Sequence, residues 1–167
     1  MSDTPAPPLD APLSARSLLP RYLGVSLAMW LVGGALTGAG MDSWYDELVI
    51  PAWQPDGVWF APVWGVLLTL LAFATADVMS GPETPLRARA TALYWIQVIL
   101  NVLWSAAFFT SHSPEAALIV IKALIVVLIW QTLTYRRLST AAAWKLVPYL
   151  LWVLFASAIN LWIVVHN

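Results

Sequence analysis

Residues 44–64 read WYDELVIPAWQPDGVWFAPVW, with four tryptophans, three prolines, three acids and no basic residue. Pro51 and Pro55 fix backbone torsions and deny the stretch a regular helix, whereas Pro62 suits a first helical turn. An apolar segment follows at once. Such a stretch reads as a semi-rigid aromatic lid over something embedded in a membrane.

The composition around it agrees. Of 167 residues, 60% are hydrophobic and 10% charged, and the mean hydropathy is +0.76, far from a soluble composition. Eleven tryptophans suit membrane interfaces and apolar ligand pockets. The net charge of −1, with no basic patch among the aromatics, gives no reason to expect nucleic acid. The absence of cysteine excludes disulfides, thiolate metal sites and thiol catalysis.

Residues 1–20, rich in proline, alanine and serine, read as a disordered tail ahead of a membrane domain over residues 21–167. That domain contains five charge-poor segments near 22–40, 58–76, 90–110, 116–135 and 146–165, each close to the length that crosses hydrocarbon as a helix. None alternates as a barrel strand would. The expected fold is an all-α integral membrane bundle of five transmembrane helices.

Charge orients it. Arg16, Arg21, Arg87, Arg89, Arg136, Arg137 and Lys145 fall on one side of the five spans, while the other carries Asp42, Asp46, Glu47, Asp56 and Glu115. The positive-inside rule puts the N-terminus in the cytoplasm, with the first loop and the C-terminus opposite. Lys122 lies within the fourth span and reads as a snorkelling side chain. Asp77 ends the second span, where a carboxylate ordinarily meets water.

Polar positions inside the spans are few and patterned. Phe60, Trp64 and Leu68 share a face of the second span, and Gln97, Asn101, Trp104 and Ser105 share a face of the third. Trp152, Ala156 and Asn160 share a face of the fifth, beside Phe155 and Ile159. An unpaired amide at bilayer depth is costly. Two readings fit Asn101: an interhelical hydrogen bond, or a polar contact in an internal pocket. Gly34 and Gly38 permit close helix approach, Pro148 marks a kink or first turn near the fifth span's start, and Trp30 and Trp162 read as interface-belt indoles.

With these pieces in order, the chain resembles the TspO family of tryptophan-rich sensory proteins, which includes the mitochondrial translocator protein. The motifs are Trp44-Tyr45-x-x-Leu48-x-x-Pro51-x-Trp53-x-Pro55, Pro62-Val63-Trp64, Gln97-x-x-x-Asn101-x-x-Trp104 with Phe108-Phe109, and Pro148-Tyr149-Leu150-x-Trp152-x-x-Phe155-Ala156-x-x-x-Asn160. The resemblance implies a cavity beneath the first loop, often in a homodimer, and ligands such as protoporphyrin IX, sterols or flat drug-like molecules. By position it assigns Trp44, Tyr45 and Pro55 to the lid. Asn101, Trp104, Phe155 and Ala156 fall at pocket positions, and Trp64 and Trp152 match an indole pair tied to light-dependent porphyrin breakdown. With Phe60, Gln97 and Asn160 from the shared faces, these make twelve candidate ligand-binding residues. The resemblance requires no cofactor or metal, porphyrin being a ligand.

Departures are visible too. Asp56 stands where the family has a second proline, Trp59 comes one residue late, and Val120 replaces an acid. The C-terminal Leu161–Asn167 stretch lacks the proposed sterol motif, which makes sterol a poor expectation. A receptor for tetrapyrroles in transport, sensing or regulation is the leading reading. The alternatives are a light-dependent porphyrin-degrading enzyme or a small-solute or lipid transporter. The enzyme has thin support, since His112 and His166, the two histidines, both sit at span ends. The transporter would call for paired repeats or intramembrane acids.

Overall fold

The structure, a computed structural model, describes residues 14–41 and 43–167. Among them the chain forms α1 (Ala15–Gly40), a short α2 (Ser43–Glu47), α3 (Phe60–Met79), α4 (Pro85–Ser105), α5 (Pro114–Leu138) and α6 (Thr140–His166). A 3₁₀ turn, Gly57–Trp59, leads into α3, and α4 runs on through a π turn, Ala106–Thr110. Five of these helical segments are long and apolar enough to cross a membrane.

The helices extend beyond the expected spans because their polar ends are helical as well. Ser14, Thr84, Ser113 and Ser139 cap α1, α4, α5 and α6, each side-chain oxygen accepting from a backbone N–H three residues on, a standard way to satisfy first-turn donors. Pro85 and Pro114 occupy the first positions of α4 and α5, where a missing N–H costs nothing. Residues 15–20, expected in the tail, instead form the start of α1, with Pro20 inside the helix. The rest of the expected tail, residues 1–13, lies outside the described residues. Pro148 sits well inside α6, since the helix begins at Thr140.

The spans close into a ring. The principal packing pairs are α1 with α3, α3 with α6, α6 with α5 and α5 with α4, and α4 with α1 completes the circuit. Lipid is as apolar as leucine, so burial alone does not hold such helices together; close packing and interhelical hydrogen bonds do. Ser26 Oγ of α1 donates to the Leu68 carbonyl of α3 at 2.7 Å. Thr75 of α3 and Tyr135 of α5 share a hydrogen bond of 3.1 Å. Trp30, expected in the interface belt, donates its indole N–H to the Ala61 carbonyl at 3.0 Å and so ties α1 to α3.

At the arginine-bearing end Asp77 of α3 pairs with Lys145 of α6, both partly buried. This corrects the expectation that Asp77 simply meets water: α6 starts early enough to bring Lys145 alongside it. Lys122 is exposed on the outer surface of α5.

At the opposite end the end of α1 seats directly on the π turn of α4. A Cβ on Gly40 would lie 1.9 Å from the Phe109 carbonyl oxygen, so no side chain fits there. Gly24, by contrast, has nothing within 4 Å of such an atom. We predict that Gly40→Ala destabilises the protein by about 1–3 kcal/mol through overpacking, whereas Gly24→Ala is neutral or slightly stabilising. Thermal unfolding in detergent checks this. Equal melting temperatures for the two variants would refute the close approach.

Candidate functional site

The site is assembled where the lid, the π turn and the ends of α3 and α6 converge. After α2 the lid turns back on itself, with the Gln54 amide N–H₂ donating to the Tyr45 hydroxyl at 3.2 Å. Trp44 packs edge-on against Phe108, at 5.9 Å between ring centroids, and stacks on His112 at 4.4 Å with an interplanar angle of 13°. His112 has φ = 47°, a left-handed conformation that histidine adopts more readily than most residues. The chain reverses there, between the π turn and α5. Tyr45 lies 6.1 Å from Phe109.

The opposite half of the lid rests on α6. Trp53 meets Phe155 at 5.7 Å and Trp162 at 6.4 Å, and Trp152 bridges Phe155 and Phe60, at 5.6 Å from each. Trp162, read as a belt indole, therefore belongs to the aromatic layer under the lid. The lid is also pinned through its backbone. The Asn167 side chain accepts from Val49 N at 2.8 Å, and its amide donates to Val49 O at 3.3 Å and to Ile163 O at 2.8 Å. One side chain thereby caps α6 and pairs with a lid residue as a strand partner would.

Beneath lies a cavity of about 40 Å³. Tyr45 and Gln54 roof it, and Phe60, Trp104, Phe108 and Phe109 form aromatic walls. Ala156, Ile159, Asn160 and Ile163 supply one face of α6. The small Ala156 side chain leaves room where a larger one would fill it. Trp104 donates its indole N–H to Asn160 Oδ1 at 3.2 Å, and Asn160 Nδ2 donates to the Pro114 carbonyl at 2.9 Å. One amide thus links α4, α5 and α6 and fixes the plane of a wall indole.

Of the twelve candidate residues, Tyr45, Phe60, Trp104, Ala156 and Asn160 line this cavity. Trp44, Pro55, Trp152 and Phe155 belong to the lid and the aromatic layer beside it. Trp64, Gln97 and Asn101 lie deeper. Asn101 Nδ2 donates to the Tyr149 hydroxyl at 2.9 Å, that hydroxyl donates to Gln97 Oε1 at 3.1 Å, and Trp64 meets the Tyr149 ring edge-on at 5.8 Å. Of the two readings of Asn101, its geometry is that of the interhelical hydrogen bond. Gln54, Phe108, Phe109, Ile159 and Ile163 were not among the candidates. Phe108 and Phe109 stood in the quoted motif, and Ile159 and Ile163 fall three and seven residues beyond Ala156, on its helical face. Gln54 carried no signal beyond its place between Trp53 and Pro55.

The donor set is aromatic and amide. Among the described residues, no three His, Asp or Glu side chains come together. Among the described residues, two indole donors of the aromatic layer, Trp152 Nε1 and Trp162 Nε1, have no partner, nor has the deeper Gln97 Nε2. What the arrangement offers chemically is indole and phenyl faces for stacking, with sparse N–H donors at their edges.

Comparison with known proteins follows the same lines. Residues 22–165 match the TspO/MBR family. The chain belongs to that family. It is 36% identical over 146 residues to "Tryptophan-rich protein TspO" of Chlorobaculum tepidum, covering 87% of this chain and 92% of the relative. It is 34% identical over 142 residues to the protein of the same name from Archaeoglobus fulgidus, covering 84% and 91%. To the human "Translocator protein" it is 29% identical over 140 residues, covering 83% and 82%. With five apolar helices and this TspO/MBR membership, it is an integral, multi-pass membrane protein.

Two predictions test the geometry of this TspO/MBR site. Tyr149→Phe removes the hydroxyl that joins Asn101 to Gln97 and should lower stability by about 1–2 kcal/mol, read as a lower melting temperature in detergent; an unchanged value would mean that the two amides find other partners. Asn167→Ala removes the bonds that hold Val49, so amide exchange at Val49 should accelerate at least several-fold while exchange at Leu71 in the bundle stays as slow as before. Unchanged exchange at Val49 would show that the lid is held by its aromatic contacts alone.

Proposed function

We propose that this protein is a membrane receptor for tetrapyrroles, of the protoporphyrin IX type, and for other flat apolar ligands, serving their transport, sensing or regulation. One observation carries the reading: a cavity walled by Phe60, Trp104, Phe108 and Phe109 under an aromatic lid, with amide groups along its edge. A planar macrocycle gains most from ring faces, a dry cleft and a few edge donors. The arginine-bearing end is assigned to the cytoplasm by the charge asymmetry, which leaves the lid on the opposite side. The exposed face of α1 that carries Gly24, Gly34 and Gly38 suits the close approach of a second copy.

The cavity volume sets a condition. Pockets that enclose drug-sized molecules measure roughly 300–1,000 Å³, and this one holds about 40 Å³. Binding therefore requires the lid, residues 43–59, to lift from the ends of α4 and α6. Few backbone bonds oppose that movement, Asn167 to Val49 foremost.

A light-driven reaction is the second reading, favoured by the Trp152 indole, whose N–H is unpartnered among the described residues and whose ring touches cavity-lining Phe60. An indole can pass an electron to an excited porphyrin without an acid–base pair.

Titration with protoporphyrin IX in the dark, by tryptophan quenching and by equilibrium dialysis, tests both. Saturable binding is expected, weakened roughly ten-fold in Trp64→Phe/Trp152→Phe. Under illumination, a changing porphyrin spectrum that the double variant abolishes supports the photochemical reading. Absence of saturable binding by dialysis would overturn the receptor assignment.

A further inference from the structure

A second concavity lies at the other end of the bundle, on the outer surface between α4 and α5. It measures about 170 Å³ and is lined by Leu86, Arg89, Trp130, Leu133, Thr134 and Arg137. Trp130, Leu133, Thr134 and Arg137 are spaced as one face of α5, and Leu86 and Arg89 as one face of α4. The two arginines thus come from different helices and meet across a groove. Arg89 also lies over the Trp130 ring, its guanidinium carbon 5.9 Å from the centroid.

Neither arginine is neutralised by an acid among the described residues. The acids at this end among the described residues are Asp77 and Glu83, and both are engaged elsewhere: Asp77 with Lys145, and Glu83 with Arg87 at 2.9 Å. Among the described residues no carboxylate pairs with Arg89 or Arg137. Two unpaired guanidinium groups held on separate helices form a receptor for an oxyanion, because each presents a planar fork of N–H donors that matches phosphate oxygens.

The surroundings say where that oxyanion comes from. Arg137 is next to last in α5 and Arg89 is in the second turn of α4, so both sit at the end of a membrane span. Trp130 lies seven residues before Arg137, about 10 Å deeper along the helix axis, and is 53% exposed. Beyond it the same two faces continue as exposed apolar surface, with Val126 on α5 and Ile96 on α4. Charge at the span boundary, an indole below it and an apolar track below that match the order of phosphate, glycerol and acyl chain in a phospholipid.

We infer that this groove binds an anionic phospholipid of the leaflet at the arginine-bearing end, its phosphate held between Arg89 and Arg137 and its acyl chain laid along Trp130, Leu133 and Val126. Basic grooves between transmembrane helices are suited to anionic head groups in this way. The site is separated from the aromatic cavity by the length of the bundle and does not depend on what that cavity binds.

Native mass spectrometry of the purified protein in detergent, with phosphatidylglycerol or phosphatidylcholine added, reads the retained lipid directly. Wild type is expected to retain phosphatidylglycerol several-fold better than phosphatidylcholine. Arg89→Gln and Arg137→Gln should each reduce that retention roughly five-fold, and together they should bring it to the phosphatidylcholine level. Arg136→Gln removes the same charge from the exposed end of α5 outside the groove and should leave retention unchanged. Arg137 is exposed at a helix end, so its single variant reports on binding even where the pair does not fold. Equal retention of the two lipids would overturn the assignment, as would an equal loss in Arg136→Gln. Displacement of phosphatidylglycerol by millimolar inorganic phosphate would instead assign the arginines to a soluble anion and overturn the lipid site.

Discussion

The Tyr149 hydroxyl is the interaction on which the middle of this bundle depends. Five helices in a ring enclose a centre that no single helix can fill, and in a membrane every polar group placed there must find a partner within the protein. Tyr149 is fully buried and reaches from α6 to Gln97 and Asn101 on α4, while its ring meets Trp64 of α3. Donor and acceptor alternate along the chain: Asn101 gives to the hydroxyl, and the hydroxyl gives to Gln97. Because α4 and α6 are not principal packing partners, a long side chain has to make this connection, and a phenylalanine would nearly fill the volume without making the polar link.

The same logic, repeated nearer the lid, makes a site instead of a core. Asn160 links α4, α5 and α6 as Tyr149 links α3, α4 and α6, but here the aromatic side chains stop short of filling the interior. The π turn contributes to that. The Ser111 N–H donates to the Ala106 carbonyl at 2.9 Å, five residues back, and the Ser113 N–H reaches Ala107 at 3.1 Å. A wider turn changes the register of a helix just before it ends. Phe108 and Phe109 project there toward the cavity and the lid, and the Phe109 backbone is brought against Gly40. The shape of the cavity thus depends on a backbone irregularity that a regular α4 would lack.

Much of the fold is legible in the sequence because membrane insertion reduces it to length and polarity. The five spans were expected within a few residues at most of their lid-side ends. They ran short at the arginine-bearing end because Arg16, Arg87, Arg136 and Lys145 look like loop residues to a hydropathy reading and yet lie on helices. The correct starts at that end were written in cap residues, Ser14, Thr84-Pro85 and Ser139, which signal a helix without regard to charge. The candidate site was legible by face. Periodicity grouped Gln97 with Asn101 and Trp152 with Asn160, and resemblance supplied the lid. Depth was not legible: nothing in the spacing says that Tyr149 would take up both amides of α4, leaving the cavity to Trp104 and Asn160. The Asp77–Lys145 pair was hidden for a similar reason, since it joins helices far apart in sequence and depends on where α6 begins.

The two ends of the molecule solve opposite electrostatic problems, and the solutions constrain what each can bind. The lid carries Asp46, Glu47 and Asp56, all exposed, with no basic residue among them. An anionic ligand approaching that face meets repulsion, screened over roughly 8–10 Å at ordinary ionic strength, so any affinity for a porphyrin must come from the ring system and not from its carboxylates. That favours a ligand delivered from the bilayer, with its apolar plane entering first, over one captured from water. At the other end the acids among the described residues, Asp77 and Glu83, pair with Lys145 and Arg87, which leaves Arg89 and Arg137 for the lipid phosphate inferred above. Charge therefore bears on both proposed sites: unpaired arginines suit an anionic head group at one end, and the acidic lid at the other leaves shape and stacking as the basis for any ligand selection.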